Sequence, residues 1–284
     1  MMILHVTILA LIQGITEFLP ISSSGHLVLT HYFLNDGGIM SAIEQKRLDI
    51  GVHIGTLLAV IAYFRRDFMS LVQGGMDILC RRTKTKKAHE AFLIIVATIP
   101  VLICGMALFI MDMTFFDSLH IIAWMTVIFG VILYIADKKP ESSKTVEQFT
   151  LKSALFYGLM QCIALIPGVS RSGITMTAGR FLGHSRIEAA RFSLMMGMTT
   201  IAAAGLLTGA SVFSDSEITS DFMMTLVIGV AISFIAAYIA ILLMMRFLKQ
   251  GSFTPFVIYR LILGLALLAL LYSGIISENP QIGL

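Results

Sequence analysis

The sequence predicts an all-α integral membrane protein, an inverted-repeat helical bundle with six transmembrane helices and two re-entrant helical hairpins. Of its 284 residues, 57% are hydrophobic and only 13% are charged, whereas a soluble domain carries about 25% charged residues. The mean hydropathy is +0.89. Long apolar stretches alternate with short polar loops, and two apolar regions are interrupted by Pro, Gly and Ser. A large soluble protein with buried helices is excluded, because it would need a charged shell that this chain lacks.

Six apolar stretches have the length of a membrane span, about 17–25 residues. They are 48–64, 91–111, 119–136, 192–213, 222–245 and 253–276. Lys and Arg are concentrated after the first, third and fifth stretches. In the loops 112–118 and 214–221, by contrast, all charged residues are acidic. Because basic loops stay in the cytoplasm, this alternation predicts one consistent orientation for all six spans, with the acidic loops outside.

Two further regions, 1–34 and 149–185, are apolar but broken near their middle. Irregular backbone at membrane depth must be buried in protein or line a wet cavity, so both regions are predicted to be re-entrant hairpins. Each hairpin precedes three spans. The chain 1–284 is therefore predicted to be one membrane domain of two inverted units, 1–137 and 149–276, whose hairpin breaks can meet within the bilayer.

The first break, ISSSGH (21–26), follows a helix that carries a carboxylate. Gln13 and Glu17 are four residues apart and share one helix face. Ser23 and His26 lie within one turn, so their side chains can approach each other. Ionisable groups at membrane depth are costly, which favours a functional Glu17, although Glu17 and His26 could instead satisfy each other in a helix interface. A serine-capped helix start binds anions, which adds Ser22, Ser24 and Gly25 to a predicted phosphate site.

The second break, PGVSRSG (167–173), contains Arg171. Its guanidinium is a permanently charged fork that matches phosphate oxygens, and a snorkelling arginine is the alternative. The neighbouring groups complete the predicted phosphate site: Ser170, Ser172, Gly173 and Thr175.

Three other polar residues lie on predicted spans. Asp49 and His53 form an i,i+4 pair that is predicted either to extend the site or to pack two helices together. Arg260 lies about two turns into the last span, where we expect it to reach the cytoplasmic interface or to pair with Glu188.

Two motifs carry a family resemblance. QGITEFLPISSSGH (13–26) resembles the (E/Q)xxxE and serine–histidine signature of bacterial undecaprenyl-diphosphate phosphatases, the bacitracin-resistance family. PGVSRSGIT (167–175) resembles the second signature of that family, PGxSRSxxT. HIGTLLAV (53–60) and FTPFVIYR (253–260) are also similar to the family, and the resemblance covers essentially the whole chain.

The resemblance implies hydrolysis of undecaprenyl diphosphate to undecaprenyl phosphate, which recycles the carrier lipid for cell-wall synthesis and gives bacitracin resistance. It implies a bacterial plasma membrane enzyme, with its site open toward the outer face and a divalent cation, Mg²⁺ or Ca²⁺, on Glu17. By motif position, Glu17, Ser23, His26 and Arg171 carry over as the catalytic set. Gln13 stands where many members have Glu, which removes one carboxylate from the expected metal ligands.

Alternatives remain open for both mechanism and function. Ser23 is predicted to be the nucleophile with His26 as general base and acid, and the rival assignment makes His26 the nucleophile. A polyprenyl-phosphate flippase or transporter could use the same phosphate site. The expected partners are the lipid substrate and the bilayer, not nucleic acid, and the oligomeric state is left open, a homodimer included.

Overall fold

The computed structural model describes residues 2–34, 42–111, 118–141, 145–214 and 219–276. Every regular element within these ranges is helical, which confirms the all-α class. In chain order the α-helices are α1 Met2–Thr16, α2 Ser23–Leu34, α3 Ala42–Tyr63, α4 Arg65–Leu79, α5 Lys86–Ile110, α6 Leu119–Asp137, α7 Leu151–Cys162, α8 Arg171–Phe181, α9 Arg186–Ser214, α10 Ser220–Phe247 and α11 Thr254–Tyr272.

Five helices in the described ranges, α5, α6, α9, α10 and α11, are long and apolar enough to cross a membrane. The sixth predicted span corresponds to α3, which meets that test only together with α4, at a bend of 92°. The helix α3 begins six residues before the predicted span and includes Glu44, Lys46 and Arg47. The polypeptide is therefore a multi-pass membrane protein, and its spans agree with those predicted.

The segment that forms α4 was predicted only as part of a basic loop, and this prediction is wrong. This helix packs beside α5, where Gly74 lies so close to the Lys87 carbonyl that a Cβ would overlap it. At its first turn, Asp67 accepts hydrogen bonds from the Arg191 guanidinium on α9. Basic pairs at its start and just beyond its end, Arg65–Arg66 and Arg81–Arg82, concealed this helix in the sequence.

Both predicted hairpins consist of helices too short to span. The helices α1, α2, α7 and α8 have 15, 12, 12 and 11 residues, whereas a bilayer core needs about 20. Each second helix begins after a serine with positive φ, Ser22 at 75° and Ser170 at 73°. Such a backbone costs on the order of 1 kcal/mol or more and persists where the surroundings enforce it.

The two hairpins pack in corresponding ways. The helix α1 lies along α10 and α7 lies along α5. At the contacts, a Cβ on Gly14 would overlap Ser233 and Ala236, and a Cβ on Gly158 would overlap the Ala97 carbonyl. These paired glycines support the division into inverted units 1–137 and 149–276, which stays a prediction.

Candidate active site

The carboxylate of Glu17 is the point at which the two hairpin breaks meet. The Arg171 guanidinium donates from Nη2 to Glu17 Oε1 at 2.6 Å, which links α8 to the first hairpin. Ser23 Oγ donates to Glu17 Oε2 at 2.7 Å, and Gln13 Nε2 donates to the same oxygen at 2.8 Å. The Glu17 side chain is only 6% exposed. The structure thus brings together four of the residues that the sequence singled out.

Ser23 and Arg171 occupy equivalent positions in the two hairpins. Each is the first residue of its helix and follows a serine with positive φ. The preceding serine accepts a hydrogen bond from a backbone N–H in the first turn: Gly25 to Ser22 Oγ at 3.4 Å and Gly173 to Ser170 Oγ at 3.1 Å. Two similar helix starts therefore deliver a hydroxyl and a guanidinium to the same carboxylate.

The guanidinium of Arg171 keeps one donor group unused. Its Nη1 is buried and has no hydrogen-bond partner among the described residues. A Cβ on Gly197 would overlap this guanidinium, so the glycine on α9 makes the space for it. The Cζ atom of Arg171 lies over the ring of Phe18, 5.9 Å from the ring centroid. The unused N–H groups can hold an anion while Nη2 stays on Glu17.

The imidazole of His53 joins this site, but the predicted pair with Asp49 does not form. Its Nε2 lies 3.8 Å from Glu17 Oε2, and its Nδ1 donates to the backbone carbonyl of Asp49 at 2.7 Å. The Asp49 carboxylate instead pairs with His31 Nε2 at 3.3 Å. Spacing along one helix could not show that a neighbouring hairpin supplies the partner of Asp49.

The imidazole of His26 is not hydrogen-bonded to Ser23 in the described residues, although the spacing predicted that these side chains could approach each other. His26 Nδ1 lies 2.6 Å from the Ser22 carbonyl, which can only accept, so Nδ1 carries the proton. Nε2 lies 2.6 Å from the Tyr259 hydroxyl, and the two rings stack with centroids 5.6 Å apart. Sequence reasoning missed Tyr259, although it lies in the FTPFVIYR segment that carries the resemblance.

Arg260 lies fully buried between the breaks. Within the described residues its donors are all used by backbone carbonyls, at Pro20 (3.3 Å), Met125 (3.3 Å), Thr126 (3.1 Å), Gly168 (3.0 Å) and Val169 (3.0 Å). The expected interface position or pair with Glu188 is wrong, and Glu188 accepts from the backbone N–H of Val146 instead. A structural role does apply, because Arg260 ties both breaks to α6. The sequence signal for this structural role was the presence of an arginine inside an apolar span.

Most hydroxyls of the predicted phosphate site are occupied within the fold. Ser172 Oγ donates to the Leu19 carbonyl at 2.8 Å. Thr175 is fully buried, and its Oγ1 lies 2.6 Å from Ser193 Oγ. Ser24 is exposed. Of the predicted phosphate-binding groups, Ser24 therefore stays accessible beside Ser23 and Arg171, while Ser172 joins the two breaks and Thr175 is held by α9.

No group of three or more His, Cys, Asp or Glu side chains in the described ranges could hold a metal ion. Beside Glu17, however, Gln13 Oε1 is buried and lacks a hydrogen-bond partner among the described residues. Mg²⁺ uses one or two carboxylates together with waters and substrate phosphates. One carboxylate and one free amide oxygen fit a cation that arrives with a diphosphate, but not a cage made of protein ligands alone.

Comparison with known proteins gives a consistent result. The family profile described as "Bacitracin resistance protein BacA" matches residues 6–266. A protein of Jannaschia sp. named undecaprenyl-diphosphatase is 47% identical over 271 residues, which covers 94% of this chain and 97% of the relative. Proteins of the same name from Ruegeria pomeroyi and Hahella chejuensis are 44% and 43% identical and cover 96% and 95% of the chain, and 100% and 98% of their own lengths.

Proposed function

This chain belongs to the bacitracin resistance protein BacA family, and on that premise we propose that it is an undecaprenyl-diphosphatase. It hydrolyses undecaprenyl diphosphate to undecaprenyl phosphate and inorganic phosphate. This reaction returns the carrier lipid to cell-wall synthesis and gives bacitracin resistance. The observation that carries the proposal is the meeting of Ser23 and Arg171 on the Glu17 carboxylate.

Ser23 is the nucleophile in this proposal. Its Oγ attacks the terminal phosphorus, the bond from that phosphorus to the bridging oxygen breaks, and undecaprenyl phosphate leaves with the bridging oxygen. Because Ser23 donates to Glu17 Oε2 at 2.7 Å, Glu17 is the group positioned to take the serine proton. Water then hydrolyses the phosphoserine, which releases inorganic phosphate and restores the hydroxyl.

Arg171 binds the terminal phosphate through its unused Nη1 and stabilises the charge of the transferring phosphoryl group. His26 belongs to the same hairpin break as Ser23, but its two ring nitrogens face the Ser22 carbonyl and the Tyr259 hydroxyl. In this arrangement it orients the break that presents Ser23. The rival role of His26 as nucleophile would require its ring to leave Tyr259.

A divalent cation, Mg²⁺ or Ca²⁺, belongs to the same proposal. Glu17 and the free Gln13 Oε1 would hold it together with substrate oxygens. When bound, it would neutralise the negative charge of the diphosphate. Gln13 in place of a second carboxylate leaves fewer charged ligands, so we expect the cation to bind weakly without substrate.

The proposed location is the bacterial plasma membrane, with the site open toward the outer face. The support is the charge alternation of the loops, which assigns the basic segments around α4 to the cytoplasm. A flippase or transporter with the same phosphate site is the less favoured function, because the relatives that cover nearly the whole chain bear a hydrolase name.

Phosphate release from undecaprenyl diphosphate by the purified protein in detergent tests this function. We expect Arg171→Ala to lower kcat by about 10² or more, because it removes one preorganised electrostatic partner. Arg246→Ala, at an exposed position on α10, serves as the matched control and should stay near the wild-type rate. Verified substrate binding without any phosphate release would contradict hydrolysis and favour transport.

The same assay with a chelator tests the cation. Activity should fall and return on addition of Mg²⁺ or Ca²⁺, and Glu17→Gln should lose activity at every cation concentration. Full activity of both the wild type and Glu17→Gln in chelator would rule out the metal role of Glu17.

A further inference from the structure

The helix α4 leaves the end of α3 at a sharp angle. It continues from α3 after a bend of 92°. The helix α3 packs along the spanning helix α10, so the bend turns α4 away from the direction of that span. Contacts with α5 and the Asp67–Arg191 ion pair hold α4 in this direction.

The outward side of α4 carries an apolar stripe. Met69, Val72, Met76 and Leu79 are 52%, 46%, 58% and 79% exposed. Their spacing of three, four and three residues places them on one face of the helix. An amphipathic helix with exposed apolar residues beside basic ones is typical of a segment embedded in the headgroup region of a bilayer.

A basic cavity of about 390 Å³ adjoins this stripe, between the first turns of α4 and the start of α5. Its lining residues are Arg65, Arg66, Met69, Ser70, Gln73 and Lys87. Lys87 Nζ donates to Gln73 Oε1 across the cavity. Arg65 and Arg66 are exposed and form no ion pair within the part of the chain that the structure describes. The cavity thus combines three cationic side chains and has no acidic residue in its lining.

We propose that this cavity binds the phosphate headgroup of an anionic phospholipid, whose acyl chains contact the apolar stripe of α4. Met69 belongs both to the cavity lining and to the stripe, so one molecule with a charged head and an apolar tail contacts both. A free phosphate ion would use the cations and leave the stripe unpaired. None of the lining residues contributes to the Glu17 cluster, so this site is separate from the proposed active site.

Lipid binding to the full-length protein in detergent tests the proposal, with phosphatidylglycerol and phosphatidylcholine as probes and native mass spectrometry as the readout. The variant Arg65→Gln/Arg66→Gln removes two cavity charges. The control Arg81→Gln/Arg82→Gln removes the same charge from the other end of α4, outside the cavity. Thermal unfolding of each variant in the same detergent checks that α4 stays folded.

We expect the wild type to bind phosphatidylglycerol at least about tenfold more tightly than phosphatidylcholine. The cavity variant should lose about 20- to 30-fold in affinity for phosphatidylglycerol, since each basic residue near an anionic headgroup contributes about fivefold. The control variant should lose no more than about threefold in 0.15 M salt, where distant charges are screened.

Equal losses in the two variants would overturn the proposal, because general surface charge would then explain the binding. The absence of a preference for phosphatidylglycerol in the wild type would overturn it as well. A third arm adds inorganic phosphate in millimolar excess, which should fail to displace the lipid. Displacement by phosphate would show an anion site without a lipid contribution, and this too contradicts the proposal.

Discussion

Glu17 has an unusual position for a carboxylate inside a membrane protein, because three donors from two hairpins converge on it. Ser23 and Gln13 share Oε2, while Arg171 holds Oε1. Burial of an isolated carboxylate at membrane depth would cost several kcal/mol, and these partners offset that cost. The same contacts align the Ser23 hydroxyl, so the groups that stabilise Glu17 also prepare the proposed nucleophile.

At the scale of single residues, we predict that Ser23 is the nucleophile. Rapid acid quench of the enzyme with substrate labelled in its terminal phosphate should trap the label on Ser23. Ser23→Ala should abolish the label and lower turnover by at least about 10³, as expected for loss of a nucleophile. The neighbouring Ser24→Ala should still form the phosphoenzyme. Label recovered as phosphohistidine at residue 26 would contradict the assignment and restore the rival mechanism.

At the scale of elements, two helix starts that share a positive φ at the preceding serine form the candidate site. Ser22 and Ser170 both have positive φ and cap the helices α2 and α8. The residue after each of these serines therefore begins its helix in a similar position. This residue is Ser23 in the first hairpin and Arg171 in the second. The packing of α9 against α8 matters equally, because a glycine on α9 leaves room for the arginine.

Gly197→Ala tests this dependence on close packing. The new Cβ would overlap the Arg171 guanidinium, so Arg171 must shift. A displacement of about 1 Å in a positioning group can lower kcat by about 10². Gly205→Ala on the same helix is the matched control, because a Cβ there meets no described atom within 4 Å, and it should keep the wild-type rate.

The assay measures kcat and KM for both variants in one detergent, with thermal unfolding as a check of folding. Equal activity of Gly197→Ala and Gly205→Ala would show that the position of Arg171 does not depend on this contact.

At the scale of the whole molecule, the two breaks are joined through the centre of the bundle. Arg260 on α11 contacts carbonyls of Pro20 in one break and of Gly168 and Val169 in the other. Breaks in helices leave carbonyl groups that lipid cannot satisfy, and a buried guanidinium with five N–H donors satisfies several together. One side chain therefore stabilises both interruptions that form the candidate site.

The orientation of the molecule predicts which side of the membrane exposes Cys80. This thiol is exposed at the end of α4, whereas Cys104 and Cys162 are only partly accessible. In a Cys104→Ser/Cys162→Ser background, a membrane-impermeant maleimide should label Cys80 only after the cells are permeabilised. Labelling in intact spheroplasts would place α4 outside and contradict the predicted orientation.

The sequence by itself determined the all-α membrane class, the spans and the two breaks, and it singled out Glu17, Ser23 and Arg171 as candidate site residues. These features follow from local composition, because apolar length and polar interruption are properties of a single segment. The helix α4 was missed even so, since the basic residues at its start and beyond its end are typical of a loop.

Only the tertiary structure decided which side chains are partners. His26 faces Tyr259, 233 positions away along the chain, and Arg260 binds carbonyls of segments 91 to 240 positions distant. Residue spacing within one helix cannot predict such contacts, because they depend on which helices pack together. For the same reason, Glu17 and not His26 receives the hydrogen bond of Ser23: the hairpin folds back and brings the carboxylate to the hydroxyl, while the imidazole turns toward α11.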